Sequence, residues 1–189
     1  MSYPNWFASY AIAYFDKHLA RFKDKEDLRF LQVGAFTGDA SLWLMQNILT
    51  QKSSILVDVD TWQGSDEEAH HQMDFTDVEK TYDWKLKDYS RVIKVKQASL
   101  DFYARLPKDE VYDFIYIDGD HTAQAVWHDA SLGWKALKPG GIMAFDDYLW
   151  GTELPLDKRP QPAIDLFLTL LKDQIELLDT GSQVWIRKR

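Results

Sequence analysis

The 189-residue chain contains no cysteine. Disulfides and thiolate metal sites are thereby excluded, so stability has to come from packing and any metal has to bind through oxygen or imidazole. No stretch reaches the roughly 18 consecutive apolar residues that a membrane-spanning helix needs. The opening Met-Ser-Tyr-Pro-Asn-Trp carries no basic stretch ahead of an apolar run. The expectation is therefore cytoplasmic residence with no membrane partner. Positive charge is also short, with 22 Lys and Arg against 30 Asp and Glu and a net charge of -8. That balance argues against a nucleic-acid backbone or an anionic membrane surface as the main partner, and suits a neutral or cationic ligand better.

What is present matches a soluble globular protein: 46% hydrophobic and 28% charged residues. The length buries a sizeable core as one domain over residues 1–189. Aromatic residues make up 14%, enough for a stacking pocket, although core and lid are their more common use.

Apolar residues at Trp6, Phe7, Tyr10, Ala11, Tyr14, Phe15, Leu19 and Phe22 fall along one face of a helix within residues 1–27. Strands follow at residues 28–33, 55–59, 91–95, 114–117 and 142–145, with helices at 40–49 and 122–137. Between the second and third strands, residues 64–89 form a long polar insert expected to hold short helical pieces and to shape a pocket. Within it Asp66, Glu67 and Glu68 read as a solvated face, with His70 and His71 beside them. After a Pro-containing loop at 150–162 come a helix through Ile164, Phe167, Leu168 and Leu171 and two closing strands. The glycine of Asp179-Thr180-Gly181-Ser182-Gln183 suits a hairpin between them. Alternating strands and helices imply an α/β, three-layer αβα fold: a mostly parallel seven-stranded sheet with an antiparallel C-terminal hairpin. Ligands in such sheets bind beyond the carboxyl ends of the strands.

Two strand ends carry the first chemistry. Val33-Gly34-Ala35-Phe36-Thr37-Gly38-Asp39 places two glycines in a Gly-x-x-x-Gly turn between strand and helix. Gly34 lets a ligand approach the backbone and Gly38 permits the turn into the helix, although such glycines also occur for steric reasons alone. The spacing lacks the Gly-x-Gly-x-x-Gly of a dinucleotide site. The next strand ends Asp58-Val59-Asp60-Thr61-Trp62, putting a carboxylate where a ribose offers two hydroxyls. Farther on, Asp118 closes a fully apolar strand and Asp146-Asp147 closes its neighbour. Three like charges converging at one sheet edge call for a cation or a proton between them.

Four segments, Val-Gly-Ala-Phe-Thr-Gly, Val-Asp-Thr-Trp-Gln-Gly, Ile-Asp-Gly-Asp-His and Leu-Lys-Pro-Gly-Gly-Ile-Met-Ala-Phe-Asp-Asp-Tyr, occur in the order seen in class I S-adenosylmethionine-dependent methyltransferases. The chain resembles that family over residues 28–148, most closely the macrocin-type sugar O-methyltransferases and more distantly the catechol and caffeoyl-CoA enzymes. The resemblance implies S-adenosyl-L-methionine as cofactor, with Gly34 and Gly38 bordering its amino-acid end and Phe36 also among the cofactor-binding residues. Asp60, or Asp58 in another register, would meet the ribose, Trp62 and Ser99 the adenine, and Asp118 the cofactor as well. Gln32, Ala40 and Ala98 depart from the pattern, each removing one polar contact worth on the order of 1 kcal/mol.

Asp118, Asp146 and Asp147 suit magnesium or a similar divalent ion through oxygen ligands, while a metal-independent enzyme would use Asp118 only toward the cofactor. His121 is a candidate base for the acceptor hydroxyl, or else a helix cap, and Asp120 reads as a turn or capping residue. The catalytic pair expected is thus His121 with Asp118, acting on a small hydroxylated molecule, a sugar or glycoside first. Two other classes stay in view: a nucleotide-sugar glycosyltransferase using Asp58 and Asp60, and a non-catalytic binding module. Assembly into a homo-oligomer is left open.

Overall fold

The computed structural model describes residues 3–65, 70–106 and 111–189; the expected solvated run Asp66, Glu67 and Glu68 lies outside them. Seven strands form one sheet: β1 (Arg29–Val33), β2 (Ile55–Asp60), β3 (Val92–Lys96), β4 (Tyr112–Ile117), β5 (Leu137–Phe145), β6 (Ile175–Thr180) and β7 (Val184–Lys188). Their order is β3-β2-β1-β4-β5-β7-β6. The first five run parallel and the closing hairpin antiparallel, as the alternation of elements predicts.

Period-two alternation on buried strands splits the core into two layers. Leu31, Val33, Ile115, Ile117, Met143 and Phe145 point to one face and pack with Trp134 and Phe167. These two come from α5 (Ala123–Ala136) and α6 (Gln161–Leu170). Phe30, Phe114, Tyr116 and Trp185 point to the other face, against Phe15 and Leu44 from α1 (Ile12–Leu19) and α2 (Asp39–Asn47). Register then fixes where the chemistry emerges. Val33 lies beside Val59 and Ile117, and Ile117 beside Phe145, so Gly34, Asp60, Asp118 and Asp146 leave the sheet along one edge. The chain reverses direction of travel between β1 and β4, the switch point where such sheets bind ligands.

Three elements differ from their sequence expectation. The N-terminal helix is a π turn (Phe7–Ala11), then α1, then a 3-10 turn (Ala20–Phe22). It buries Ala11, Phe15, Leu19 and Phe22, whereas Trp6 and Tyr10 stay 38% and 66% exposed, because a narrower stripe suffices to seat so short a helix. Among its described residues the insert holds one twelve-residue helix, α3 (Phe75–Leu86), rather than short pieces, capped by the Asp74 side chain accepting from the Thr76 N–H. Val78, Tyr82 and Leu86 recur at helical spacing and are buried, a signal that the polar composition masked. Finally, the segment from Lys138 to Gly141 does not simply end a helix. It lies inside β5, where Leu137 pairs with Tyr112 and Ile142 with Phe114, so five steps of β5 oppose two of β4. Gly140 takes up this bulge at φ +75°. Among the described residues, no helix is long and apolar enough to cross a membrane.

Candidate active site

A cleft of about 770 Å³ runs along the carboxyl ends of the parallel strands. At its centre Gly34 adopts φ +87°, and a Cβ there would lie 1.8 Å from the carbonyl oxygen of Asp118. The close approach that demands glycine is therefore made by the protein's own β4 exit, whose Asp118 N–H donates to Val33 at 2.8 Å. Gly38, at φ +79°, starts α2, and a Cβ there would meet the Tyr82 ring at 2.9 Å. Gly34, Ala35, Phe36, Thr37 and Asp39 line the cleft; Gly38 is not among the lining residues. Gln32, where an acid was expected, donates its amide N–H to the Gly34 carbonyl at 2.8 Å. A carboxylate has no proton for that bond.

Asp60 lines the cleft and holds the turn in shape. One carboxylate oxygen accepts from the Ala35 and Phe36 N–H groups at 2.7 and 2.9 Å, the other from Trp62 at 2.7 Å. About one lone-pair position remains for a hydroxyl donor, since a carboxylate offers about four. Trp62 lies outside the cleft, 3% exposed, with its indole N–H on the Phe36 carbonyl and its ring against Tyr82. It fills the core behind the turn. Asp58 also turns away from the cleft. Fully buried, it accepts from the Tyr82 hydroxyl at 2.7 Å, and burial pushes its pKa up to about 7. A site using Asp58 and Asp60 together therefore finds no support in the geometry.

At the β3 end, Ser99 opens α4 (Ser99–Tyr103) and lines the cleft together with Asp129 of α5. Asp129 is 2% exposed, and burial lifts its pKa to about 6 despite a hydrogen bond from Ser99.

The acidic edge is arranged differently from the expectation that Asp118, Asp146 and Asp147 form one set. Potential ligand atoms of Asp118, His121 and Asp147 all lie within 4.8 Å of one another. His121 Nε2 stands 3.0 Å from Asp147 Oδ2, and the imidazole packs edge-on against Trp150 at 4.8 Å. Asp146 is occupied inward: Tyr116 donates to it, and its other oxygen accepts the Asp147 N–H at 2.8 Å. Gln183 continues this chain, donating to the Tyr116 hydroxyl and accepting from the Trp185 indole. Burial, and then the Asp147 charge, hold the Asp146 pKa above the usual carboxylate range. Asp147 adopts φ +57°, a left-handed conformation that orients its carboxylate toward His121. Asp120 accepts from the Thr122 N–H, and Thr122 caps α5, which matches the turn role read for Asp120.

Several cleft residues were not singled out by sequence as site residues. Trp6, Tyr10, Leu149 and Trp150 border it, and His70 stacks on Phe36 at 6.1 Å while its Nδ1 meets the Ser65 hydroxyl at 2.7 Å. For Trp6 and Tyr10 the helical pattern pointed the other way, setting them on the buried face with Phe15, Leu19 and Phe22, whereas they stand exposed at the cleft. Nothing local separates His70 from a solvated histidine.

A five-stranded parallel sheet continued by an inserted antiparallel hairpin, with its ligand edge at the β1/β4 switch, is the Rossmann-like methyltransferase fold. A family model described as a methyltransferase domain matches residues 31–148, and the chain belongs to that family. It is similar to an uncharacterized protein of Acanthamoeba polyphaga mimivirus, 29% identical over 134 residues covering 70% of this chain and 57% of that one. It is also similar to a probable caffeoyl-CoA O-methyltransferase of Dictyostelium discoideum, 28% identical over 121 residues covering 63% and 47%. The chain thus spans about half the length of these relatives. Among solved structures, an O-methyltransferase from Bacillus cereus in complex with SAH matches with a TM-score of 0.61 and 18% identity, over 85% of this chain and 74% of that one.

Proposed function

We propose that the chain is an S-adenosylmethionine-dependent O-methyltransferase that activates the hydroxyl of a small acceptor at Asp118, His121 and Asp147. The convergence of these three side chains in a cleft that is also lined by the glycine turn and Asp60 carries the reading. Family membership and likeness to O-methyltransferases support it. Gly34, Phe36, Asp60, Ser99 and Asp118 line the stretch a cofactor would fill, with Asp60 accepting a ribose hydroxyl.

The donor set of two carboxylates and an imidazole fits a divalent cation, magnesium or manganese being the ions to try first. Such an ion, when bound, stabilises the developing negative charge on the acceptor oxygen. Asp118, His121 and Asp147 would hold it, with Asp146 fixing the backbone of Asp147 from beneath. The 3.0 Å contact between His121 and Asp147 favours a second arrangement, in which His121 takes the hydroxyl proton as general base and Asp147 orients the imidazole. Both place oxygen, methyl and sulfur in line by holding two ligands in one cleft. The resemblance to macrocin-type enzymes makes a sugar or glycoside the first acceptor class to test, and Trp6, Tyr10 and Trp150 at the mouth offer faces for a ring to stack on.

Calorimetry with S-adenosylhomocysteine, followed by turnover with and without chelator, tests the proposal. Micromolar-range cofactor binding and transfer to a hydroxylated acceptor are expected. Activity lost in chelator and restored by magnesium or manganese selects the cation. Full activity after elemental analysis shows the ion gone selects the His121 base. Absence of any cofactor binding overturns the proposal.

A further inference from the structure

The sheet order imposes a direction on anything that fills the cleft. Reacting groups sit beyond β4 and β5, the ribose-accepting Asp60 beyond β2, and the β3 end lies one strand farther, about 5 Å beyond β2. A cofactor with its sulfur at the first position and its ribose at the second puts its base at the third. There the segment after β3 reads Gln97-Ala98-Ser99-Leu100, without a carboxylate. Two carboxylates reach this end of the cleft: Asp120, which accepts the Thr122 N–H, and Asp129, two turns into α5. Asp129 is 98% buried by its 2% exposure, and its Oδ1 has no hydrogen-bond partner. A buried carboxylate oxygen left without a donor is costly unless a ligand supplies one.

We infer that Asp129 reads the nucleobase of the cofactor, its free carboxylate oxygen accepting a hydrogen bond from the exocyclic amino group of adenine. The inference rests on the proposed methyltransferase reading. Ser99 holds the other side of the carboxyl, which orients it, and the Gly119 backbone lies close on the same carboxyl, 3.9 Å from the position of a Cβ there. That packing leaves Asp129 little freedom to turn away. Specificity follows from what the site rejects. A base with a carbonyl in place of the amine presents a lone pair to a carboxylate, and the acceptor is then left unpaired in a buried place.

The test compares S-adenosylhomocysteine with S-inosylhomocysteine, in which a carbonyl replaces the 6-amino group and N1 carries a proton, by calorimetry on the whole chain at pH 7.5; the Asp129 variants separate the two changes. The wild type is expected to prefer the adenosyl ligand by about 10- to 100-fold, the range of a hydrogen bond to a charged group. Asp129→Asn, whose amide can donate to the carbonyl, narrows or reverses that preference, and Asp129→Ala removes it. Equal affinities in the wild type would overturn the inference without any variant, whatever the variants do to folding. So would a folded Asp129→Asn that weakens both ligands in the same proportion, the mark of a residue that only holds Ser99. If neither ligand binds the wild type, the methyltransferase reading itself fails and takes this inference with it.

Discussion

The two halves of the ligand edge use acidic strand ends in opposite ways. Beyond β1 and β2 the polar groups are satisfied by the protein itself: Asp60 accepts three backbone N–H groups, and Gly34 exists to clear the Asp118 carbonyl. Beyond β4 and β5 the acids divide the work. Asp146 is tied inward to Tyr116, whereas Asp147 turns outward through a left-handed backbone to meet His121 and Asp118. An aspartate at a strand end can thus be scaffold or chemistry, and the hydrogen bonds it already makes decide which.

The contrast is tested most harshly at Gly34. Gly34→Val places a branched Cβ into a backbone carbonyl and at a φ that such residues avoid. A loss on the order of 4 kcal/mol or more is expected, at the exceptional end for single changes. Circular dichroism and thermal melts should show little folded protein, so lost cofactor binding in this variant would report on folding. A well-folded Gly34→Val with intact melting would contradict the scaffold assignment of the first half.

Next in size is His121. His121→Ala should lower turnover about 100-fold or more while leaving S-adenosylhomocysteine affinity within a few-fold, since the imidazole in the proposed function serves the acceptor and not the cofactor. Turnover and calorimetry on the same preparation check both numbers. Parallel loss of both would move His121 into the cofactor-binding half.

The neighbouring aspartates sharpen the division within the second half. Asp146→Asn turns an amide donor toward either the Tyr116 hydroxyl or the Asp147 N–H, and should cost about 1–3 kcal/mol of stability, read as a lower melting temperature. Asp147→Asn, on a partly exposed side chain, should stay within about 0.5 kcal/mol and lose turnover instead. Equal melting of the two variants would mean that Asp146 is not the buttress its contacts make it.

Much of this was legible beforehand because it rests on short-range rules. The strand pattern and the convergence of Gly34, Asp60, Asp118 and Asp147 beyond the carboxyl ends of the strands follow from periodicity and from where strands end. What the pattern could not carry was rotamer and partner. Whether Asp146 or His121 completes a set with Asp118 depends on Tyr116, thirty residues earlier in the chain, and on a left-handed φ at Asp147 that no local composition demands. Trp62 reads equally well as a stacking ring or a core plug until Tyr82, on a helix hidden inside a polar insert, is placed against it. Asp129 escaped notice because its helix packs it against residues contributed by a distant strand end.

The smallest expected effect belongs to the layer beneath the first half. Burial raises the Asp58 pKa from 3.8 to about 7, so between those values the folded state binds more protons there than the unfolded chain does. Stability contributed at this position is accordingly greatest below about pH 4 and declines as pH rises through about 7, the reverse of a salt-bridged carboxylate. Asp58→Asn keeps an oxygen for the Tyr82 hydroxyl and cannot ionise. Its melting temperature should therefore lose part of the wild type's downward slope between pH 5 and 7.5, a difference of a few degrees across that range. Asp129, also raised, to about 6, titrates in both proteins and cancels in the comparison. Parallel slopes would show that Asp58 stays ionised in its burial, and would place a true charge, rather than a neutral hydrogen-bonding group, directly under the glycine turn.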